Sequence, residues 1–300
     1  GPRKGSYSGI IQLGGDLLFG RFLAWKYRCP LAAYTYGWKK GLSSCSLVAT
    51  AFESMEENLA KRGQSSLIAG DLVASALQED PHSFRWRAPE GKRVAFFPGS
   101  RKAIREAALD YARELQTALE RRIPGVEITA LLSPFSSPEE VPLWKKEGFR
   151  TVTNDTGGVL EGADLALTQP GTNTLELLHT ATPGMVAVLD RFLSLIPLPG
   201  ILGGLDKIPG LGPRIRNAAI RYLQSSLSDY LAWPNRIARR EILPERRGAC
   251  SPEDMAREMG DMLLFPERRE ILERELKDLG KKEHSHAAVR FMNILEERME

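Results

Sequence analysis

The residues with the clearest chemical potential lie in one loop and the helical turn after it. Residues 166–188 read ALTQPGTNTLELLHTATPGMVAV. This pattern predicts a strand, a loop of small residues, a helix and a returning strand. Free N–H groups at a helix N-terminus, next to a small-residue loop, suit an anion such as a diphosphate. The residues concerned are Gly171, Thr172, Asn173, Thr174 and Glu176.

Glu176 has two interpretations. Asn173 stands where a helix N-cap belongs and Glu176 follows three residues later, as in a capping box that bonds only its own helix end. Alternatively, a carboxylate in the first turn could reach the hydroxyl groups of a sugar bound beside the loop. The sequence leaves both readings open.

A second junction between strand and loop occurs at residues 93–101, RVAFFPGSR. The Pro-Gly pair predicts a turn at Gly99, and Ser100 is predicted to cap the long helix that follows. Arg101 would then lie in the first helical turn, where the helix dipole disfavours a cation. An anion shared by the site would explain this arginine, whereas a solvated side chain is the alternative.

A third segment, residues 228–244, reads SDYLAWPNRIARREILP and contains Asn235. Together, PGSR, TQPGTNTLELL and WPNRIARREILPE resemble the lipid-A-disaccharide synthase family in order and spacing. The resemblance covers most of residues 8–265. It is strong in the three motifs and loose elsewhere.

The resemblance implies an α/β protein of GT-B type, with two Rossmann-like parallel-sheet domains. It implies an inverting transfer from a UDP-sugar donor, UDP-2,3-diacylglucosamine, to an acylated sugar phosphate acceptor, which forms the lipid A disaccharide. By resemblance, Arg101 contacts the donor diphosphate, Glu176 holds the ribose hydroxyls and Asn235 lines the same pocket. The other expected donor-binding residues are Gly99, Ser100, Gly171, Thr172, Asn173 and Thr174.

Two departures from the family keep other functions open. The usual loop is Ala-Ser-Gly-Thr-Ala, whereas residues 168–173 read TQPGTN. Family members are also longer at the N-terminus and carry a Gly-rich Glu-x-Ser-Gly loop there, so we expect the first domain to be incomplete in this chain. The alternatives are another UDP-sugar enzyme of the fold, such as a 2-epimerase or a lipid-linked sugar transferase, and a non-catalytic nucleotide-sugar or lipid-binding relative.

Asp16 is the candidate general base. Inverting transfer to a hydroxyl needs a group that removes the acceptor proton. Asp16 follows the first predicted strand, and the family carries an important acidic residue in the matching loop. The equally weighted alternative is an N-cap for the helix that begins at Leu17.

Composition favours an α/β enzyme and excludes some partners. The chain has 300 residues, 42% hydrophobic and 26% charged, which suits two domains with their own cores. The net charge is only +3 and the basic residues are dispersed, so nucleic acid is not an expected partner.

The cysteines indicate neither a disulfide nor a metal site. Cys29, Cys45 and Cys250 show no disulfide or metal spacing, which indicates reduced thiols in the cytoplasm. The sequence contains no Asp-x-Asp motif, which many sugar transferases use to hold a metal ion on the donor diphosphate. Its absence favours a metal-independent enzyme, and no cofactor is expected.

Strand and helix patterns alternate along the chain, which predicts parallel sheets covered on both faces. Predicted domains are a partial acceptor-side domain at residues 1–80, a donor domain at 81–282 and a C-terminal segment at 283–300, whose helix could return to the first domain. Strands are predicted at 9–13, 31–36, 47–50, 66–69, 94–97, 126–132, 151–153, 165–168 and 185–189. Helices are predicted at 17–27, 53–62, after Arg101 and at 287–298.

Residues 192–205 form an uncharged apolar segment that is too short for a bilayer span, which needs about 20 residues. Basic residues follow it, so we expect contact with an anionic leaflet and peripheral association with the inner membrane. A buried loop or a homodimer contact is the alternative. The expected membrane contacts are Phe192, Leu195, Ile196, Leu198, Ile201 and Leu202.

Overall fold

A computed structural model describes residues 7–193, 230–280 and 286–299. These residues divide into two compact units, one within Gly1–Gln78 and Lys282–Glu300 and the other within Glu79–Lys281. Each unit contains a parallel β-sheet with helices, so the α/β class predicted from the alternating pattern is confirmed. Among the described residues, no helix combines the length and the apolar character that crossing a membrane requires.

The sheet of the first unit has four parallel strands in the order β1-β2-β3-β4. Strands β2 and β3 are buried along their whole length, which explains their continuous apolar sequences. The strands are β1 (Ile10–Leu13), β2 (Leu31–Tyr34), β3 (Leu47–Thr50) and β4 (Leu67–Ile68). The helices are α1 (Leu17–Tyr27), α2 (Glu53–Ala60) and α3 (Leu72–Gln78), with a 3-10 turn at Leu42–Ser44.

The sheet of the second unit has six parallel strands in the order β10-β9-β8-β5-β6-β7. The strands are β5 (Arg93–Phe96), β6 (Glu127–Leu131), β7 (Arg150–Val152), β8 (Leu165–Thr168), β9 (Gly184–Leu189) and β10 (Glu245–Gly248). The helices are α4 (Lys102–Arg122), α5 (Glu140–Lys146), α6 (Thr156–Glu161), α7 (Asn173–Thr180), α8 (Asp190–Leu193), α9 (Trp233–Ala238), α10 (Pro252–Leu264) and α11 (Pro266–Gly280).

The strand order of the second sheet reverses between β5 and β8. From β5 the chain moves outward to β6 and β7, and then returns to β8 on the other side of β5. Such a reversal opens a crevice at the carboxyl ends of the two central strands, where open α/β sheets bind ligands. The loops after β5 and β8 both begin at this crevice.

Helix α4 covers the second sheet with the face that its periodicity predicts. Residues Ile104, Ala108, Tyr111, Leu115 and Ala118 are all buried. Helix α10 packs against α4 and completes this layer.

The C-terminal helix, α12 (Ala287–Met299), packs within the first unit. The backbone N–H of Ala288 donates to Ser75 Oγ at 3.1 Å, and the Phe291 ring lies edge-on to the Tyr34 ring at 5.6 Å between centroids. Gly70, at φ +87°, permits this approach, because a Cβ there would lie 3.0 Å from the Cβ of Ala287.

Phe192 is buried, so its predicted membrane contact is wrong. Its ring packs edge-on against Tyr111 with the centroids 6.0 Å apart, inside the core of the second unit. The other residues of that prediction, Leu195, Ile196, Leu198, Ile201 and Leu202, lie outside the described residues. Cys29, Cys45 and Cys250 are free thiols of intermediate burial.

Candidate functional site

The loops after β5 and β8 lie against each other. Gln169 Nε2 donates a hydrogen bond to the carbonyl oxygen of Pro98 at 3.1 Å. Gly99 has φ +105°, and a Cβ at this position would lie 3.2 Å from both polar atoms of the Gln169 amide. Glycine therefore suits both the backbone conformation and the close approach of the two loops.

A buried ion pair holds the loop after β5. Arg105 donates to Glu140 through Nε at 2.5 Å and through Nη2 at 2.8 Å. Its remaining nitrogen, Nη1, donates to the carbonyl oxygen of Ser100 at 2.5 Å. The hydrogen bonds from Arg105 lower the pKa of Glu140 to about 2. The residues come from α4 and α5 and form no local sequence motif, so the pair could not be predicted from the sequence.

Arg101 occupies the N-cap position of α4 rather than its first turn. Ser100 does not cap the helix, so that prediction is wrong. The helix begins at Lys102 with no side-chain cap, and the carbonyl oxygen of Ser100 is the group engaged by Arg105. The Arg101 side chain is exposed, and within the described residues its guanidinium makes no hydrogen bond or ion pair.

The loop before α7 leaves open space at its glycine. A Cβ on Gly171 would meet no atom within 4 Å. The N-cap position belongs to Thr172, so the prediction of Asn173 as N-cap is wrong. Thr172 already has helical dihedral angles, φ −61° and ψ −25°, and its side chain makes no capping bond. Thr172 is exposed and Asn173 is half-buried at the start of the helix.

Thr174 holds the loop from inside the protein. Its side chain is buried, and its hydroxyl donates to the carbonyl oxygen of Gly171 at 2.8 Å. The hydroxyl oxygen of Thr174 in turn accepts from the backbone N–H of Trp233 at 3.0 Å. This geometry gives Thr174 a positioning role between α7 and α9, while its direct contact with a donor stays a prediction.

Asn235 is also buried and its side-chain amide is fully used. The Nδ2 group donates to the carbonyl oxygen of Leu243 at 2.7 Å and to Glu245 at 3.0 Å. The Oδ1 atom accepts from the backbone N–H groups of Ile242 and Leu243, each at 2.8 Å. An amide with two donors and two acceptor sites has no capacity left. The amide therefore has a structural role, and the place of Asn235 in the donor pocket stays a prediction.

Glu176 projects a carboxylate with one unsatisfied oxygen. Its Oε2 atom is buried and has no hydrogen-bond partner among the described residues. The capping box is not formed, because Asn173 is not the N-cap and no hydrogen bond from the helix end reaches the carboxylate. Burial raises the pKa of Glu176 to about 7, with a further contribution from the negative charge of Asp80. Perturbed acids with an unused polar atom are characteristic of functional sites.

Asp80 is fixed beside this region by α6. Its carboxylate accepts from the backbone N–H of Gly157 at 2.6 Å, in the first turn of that helix. The sequence places this residue at the end of the first predicted domain, 1–80, and its proximity to Glu176 was not predicted. No local pattern signals the proximity, because it depends on how the chain around Asp80 lies against α6.

Asp16 caps α1 in the first unit. Its Oδ1 atom accepts from the backbone N–H of Leu18 at 2.9 Å, and its side chain is exposed. The capping interpretation is confirmed, while the role as general base stays a prediction.

The described residues contain no group of three or more His, Cys, Asp or Glu side chains placed to bind a metal ion. The polar groups at the crevice are instead suited to an anion and to hydroxyl groups. These are the Arg101 guanidinium, the start of α7 and the Glu176 carboxylate.

No protein-family model matches the chain, and no curated protein matches it in sequence. Solved structures are similar in fold. One is a protein from Listeria monocytogenes assigned as a UDP-N-acetylglucosamine 2-epimerase, with a TM-score of 0.55 and 11% identity over 98% of this chain and 75% of that chain.

Two further solved structures have comparable similarity. The kitacinnamycin glycotransferase has a TM-score of 0.50 and 14% identity over 99% of this chain and 77% of that chain. The wall teichoic acid polymerase TagF has a TM-score of 0.51 and 9% identity over 97% of this chain and 72% of that chain. At these identities the similarity shows the fold alone, which is an α/β fold of GT-B type.

Proposed function

We propose that the crevice between β5 and β8 binds a UDP-sugar and that the chain is an inverting glycosyltransferase. The proposed reaction moves an acylated glucosamine from UDP to a lipid-linked sugar phosphate, as in formation of the lipid A disaccharide. The observation that carries the proposal is the buried Oε2 atom of Glu176, in the first turn of α7 after a small-residue loop, which has no hydrogen-bond partner within the part of the chain that the structure describes.

The donor diphosphate fits the groups at the two loops. The proposed pocket has three parts: the open space at Gly171, the start of α7 at Thr172 and Asn173, and the exposed guanidinium of Arg101. The N–H groups of the next three residues already bond to the carbonyl oxygens of Gly171 and Thr172. The helix start therefore favours phosphate oxygens through its positive dipole end, and the guanidinium favours them through its charge. The same groups would stabilise the charge that develops on UDP as it leaves.

Glu176 supplies the contact to the sugar of the nucleotide. Two ribose hydroxyls can donate to one carboxylate, and this would satisfy the oxygen that lacks a partner. Hydrogen bonds to the charged form lower the pKa of an acid. Because the pKa of Glu176 without ligand is about 7, the carboxyl group is about half protonated at pH 7, and UDP binding should release up to about half a proton per site.

The specific substrates rest on the sequence motifs. PGSR, TQPGTNTLELL and WPNRIARREILPE resemble lipid-A-disaccharide synthases, and the first two flank the crevice. Two of the similar structures support nucleotide-sugar chemistry more generally, since one is assigned to a UDP-sugar and another is a glycotransferase.

Calorimetric titration with UDP tests the donor site. Arg101→Ala should weaken binding about 10- to 150-fold, as expected for a lost charge-assisted hydrogen bond. Glu176→Gln should also weaken binding and should abolish the proton release, which is seen by titrating in buffers of different ionisation enthalpy. Arg121→Ala, at the far end of α4, is the matched control. Wild-type affinity in folded Arg101→Ala and Glu176→Gln proteins would refute the proposal.

A 2-epimerase is the second candidate, favoured by the similarity to the Listeria protein. A 2-epimerase inverts the configuration at C2 of the sugar while the sugar is part of the nucleotide sugar, and it needs no acceptor. A transferase instead releases UDP when an acceptor is present. Incubation with UDP-N-acetylglucosamine alone, followed by NMR of the sugar protons, distinguishes the two. UDP binding without either reaction would favour the non-catalytic alternative.

A further inference from the structure

Three basic residues border one loop of the first unit. Lys39 and Lys40 lie in the loop at residues 35–41, which joins β2 to the 3-10 turn, and Arg21 reaches this loop from α1. Asp16 lies in the loop after β1, which pairs with β2 in parallel, so both loops leave the same edge of the sheet. We call Arg21, Lys39 and Lys40 the basic cluster.

Lys39 joins the two loops. Its Nζ atom donates to the carbonyl oxygen of Gly15 at 2.8 Å, which places the ammonium group beside Asp16. Partial burial lowers the pKa of Lys39, and the negative charge of Asp16 acts in the opposite direction. An ammonium group has three N–H donors, and the bond to Gly15 is the one that Lys39 makes within the described residues. Two donors are therefore available to a ligand.

Arg21 is held against the same loop by a glycine. Gly41 has φ +96°, and a Cβ at this position would lie 3.1 Å from Nη1 of Arg21 and 3.2 Å from its Cδ atom. Glycine thus provides both the backbone conformation and the space for the arginine side chain. Arg21 and Lys40 are exposed, and their charged groups make no hydrogen bond or ion pair with any residue that the structure describes.

The carboxylate of Asp16 has one oxygen atom available. Its Oδ1 atom accepts from the backbone N–H of Leu18, whereas Oδ2 accepts no hydrogen bond from the described part of the chain. Capping and proton removal would use different oxygen atoms, so the two roles are compatible. Asp16 is also the sole Asp or Glu among residues 7–52, so no other carboxylate of this segment offsets the basic cluster.

We propose that the basic cluster binds the phosphate of a sugar phosphate whose hydroxyl group faces Asp16. Guanidinium and ammonium groups are the side chains that bind phosphate oxygens. A sugar phosphate carries an anion and a reactive hydroxyl on one ring, which matches cations placed beside a carboxylate with an available oxygen. The assignment rests on the proposed function and adds to it the residues that select the acceptor.

NMR titration of the whole chain with N-acetylglucosamine 1-phosphate tests the assignment. The exposed indole of Trp38, in the same loop, is the reporter, and N-acetylglucosamine is the matched sugar without phosphate. The wild type should bind the phosphorylated sugar about tenfold or more tightly than the other, as expected of charge-assisted hydrogen bonds. Lys39→Gln and Arg21→Gln should each remove about tenfold of this affinity and leave the binding of N-acetylglucosamine unchanged.

Three further measurements define the contribution of charge. Lys39→Arg should retain the preference for the phosphorylated sugar, because it keeps the cation. Lys40→Gln should weaken binding only about two- to fivefold, since this residue is exposed. Lys26→Gln removes the same charge in the last turn of α1 and is the matched control, which should bind like the wild type. Circular dichroism checks that each variant is folded.

A phospholipid headgroup offers the same phosphate chemistry, and glycerol 3-phosphate is the probe for it. It should bind much more weakly than N-acetylglucosamine 1-phosphate, because it lacks the sugar ring. Equal affinities for these two probes would overturn the assignment to a sugar phosphate. An equal loss of both sugars in Lys39→Gln would also overturn it, and would make Lys39 a structural link between the loops.

UDP titration of the same proteins separates this assignment from the proposed function. Loss of sugar-phosphate binding in Lys39→Gln and Arg21→Gln with unchanged UDP affinity supports the assignment. A wild-type protein that binds UDP but does not prefer the phosphorylated sugar would refute the assignment alone. A wild-type protein that prefers the phosphorylated sugar but does not bind UDP would refute the proposed donor site alone.

Discussion

The side-chain amide of Gln169 donates to the carbonyl oxygen of Pro98 at 3.1 Å and joins the loops after β8 and β5. These loops belong to two separate sequence motifs, which this contact connects directly. Gln169 also falls in the segment that departs from the usual loop of the lipid-A-disaccharide synthase family. A departure that weakened the resemblance thus provides a contact between the two sides of the crevice.

Gln169→Leu should lower UDP affinity about two- to tenfold, since it removes one neutral hydrogen bond that fixes the loops. The fold should persist because this residue is half-buried at a loop. Calorimetric titration measures the effect, with Gln116→Leu on α4 as the control. Equal affinities in the two variants would show that the loops keep their arrangement without this bond.

Glu140→Gln should destabilise the protein by about 3–5 kcal/mol at neutral pH, because it leaves Arg105 with an incomplete partner in a buried site. The low pKa of Glu140, about 2, means that its stabilisation is complete above pH 4.5 and is lost as the pH falls from 4.5 towards 2. Urea unfolding against pH measures both effects. Glu139→Gln, at the exposed neighbouring position, is the control and should behave like the wild type in urea at pH 7.

Periodicity predicted the elements that cover or form the two sheets. The buried face of α4 follows from the spacing of its apolar residues, and the central strands follow from short apolar runs. Strand β10 was missed because it reads Glu-Arg-Arg-Gly, and it is a strand only through its pairing with β9 at the edge of the sheet. Helix α3 was also missed, since it is short and has little helical pattern.

The site was only partly predictable for a different reason. Residue type indicates what chemistry a side chain can perform but not which neighbours occupy its polar atoms. Asn235 and Glu176 were both predicted as ligand contacts. Tertiary contacts satisfy every polar site of Asn235, whereas one oxygen of Glu176 has no partner among the residues that the structure describes. The Arg105–Glu140 pair depends on residues 35 apart in sequence.

Glu176 should make the protein less stable as the pH rises. Its pKa is about 7 in the folded protein against an ordinary value of 4.5, so the unfolded chain loses this proton first. Stability from this group should therefore decrease between pH 4.5 and 7, by up to about 3 kcal/mol. Glu176→Gln should remove that decrease in thermal unfolding, whereas Glu114→Gln on the exposed side of α4 should retain it. A slope unchanged by Glu176→Gln would argue against a buried, titrating carboxylate.

Asn235→Ala should lower stability by about 3 kcal/mol or more, because it leaves the buried backbone groups of Ile242 and Leu243 without this partner and removes one of the hydrogen bonds to the Glu245 carboxylate. UDP affinity of the folded fraction should remain close to the wild-type value, as expected of a structural residue. Asn293→Ala, at an exposed position of α12, should change neither quantity. A folded, stable Asn235→Ala protein with reduced UDP affinity would instead support the predicted role of Asn235 in the donor pocket.

Asp16 can be tested as base and as cap with one set of variants. Asn and Ser retain a capping oxygen for the start of α1, whereas Ala removes it and should cost about 1 kcal/mol of stability. A general base contributes about 10²- to 10⁴-fold to turnover, so all three substitutions should reduce turnover by that amount if Asp16 removes the acceptor proton. UDP affinity should be unchanged in each. The assay measures UDP release from UDP-2,3-diacylglucosamine with 2,3-diacylglucosamine 1-phosphate as acceptor. Full turnover in Asp16→Asn and Asp16→Ser, with a loss only in Asp16→Ala, would leave Asp16 as a helix cap alone.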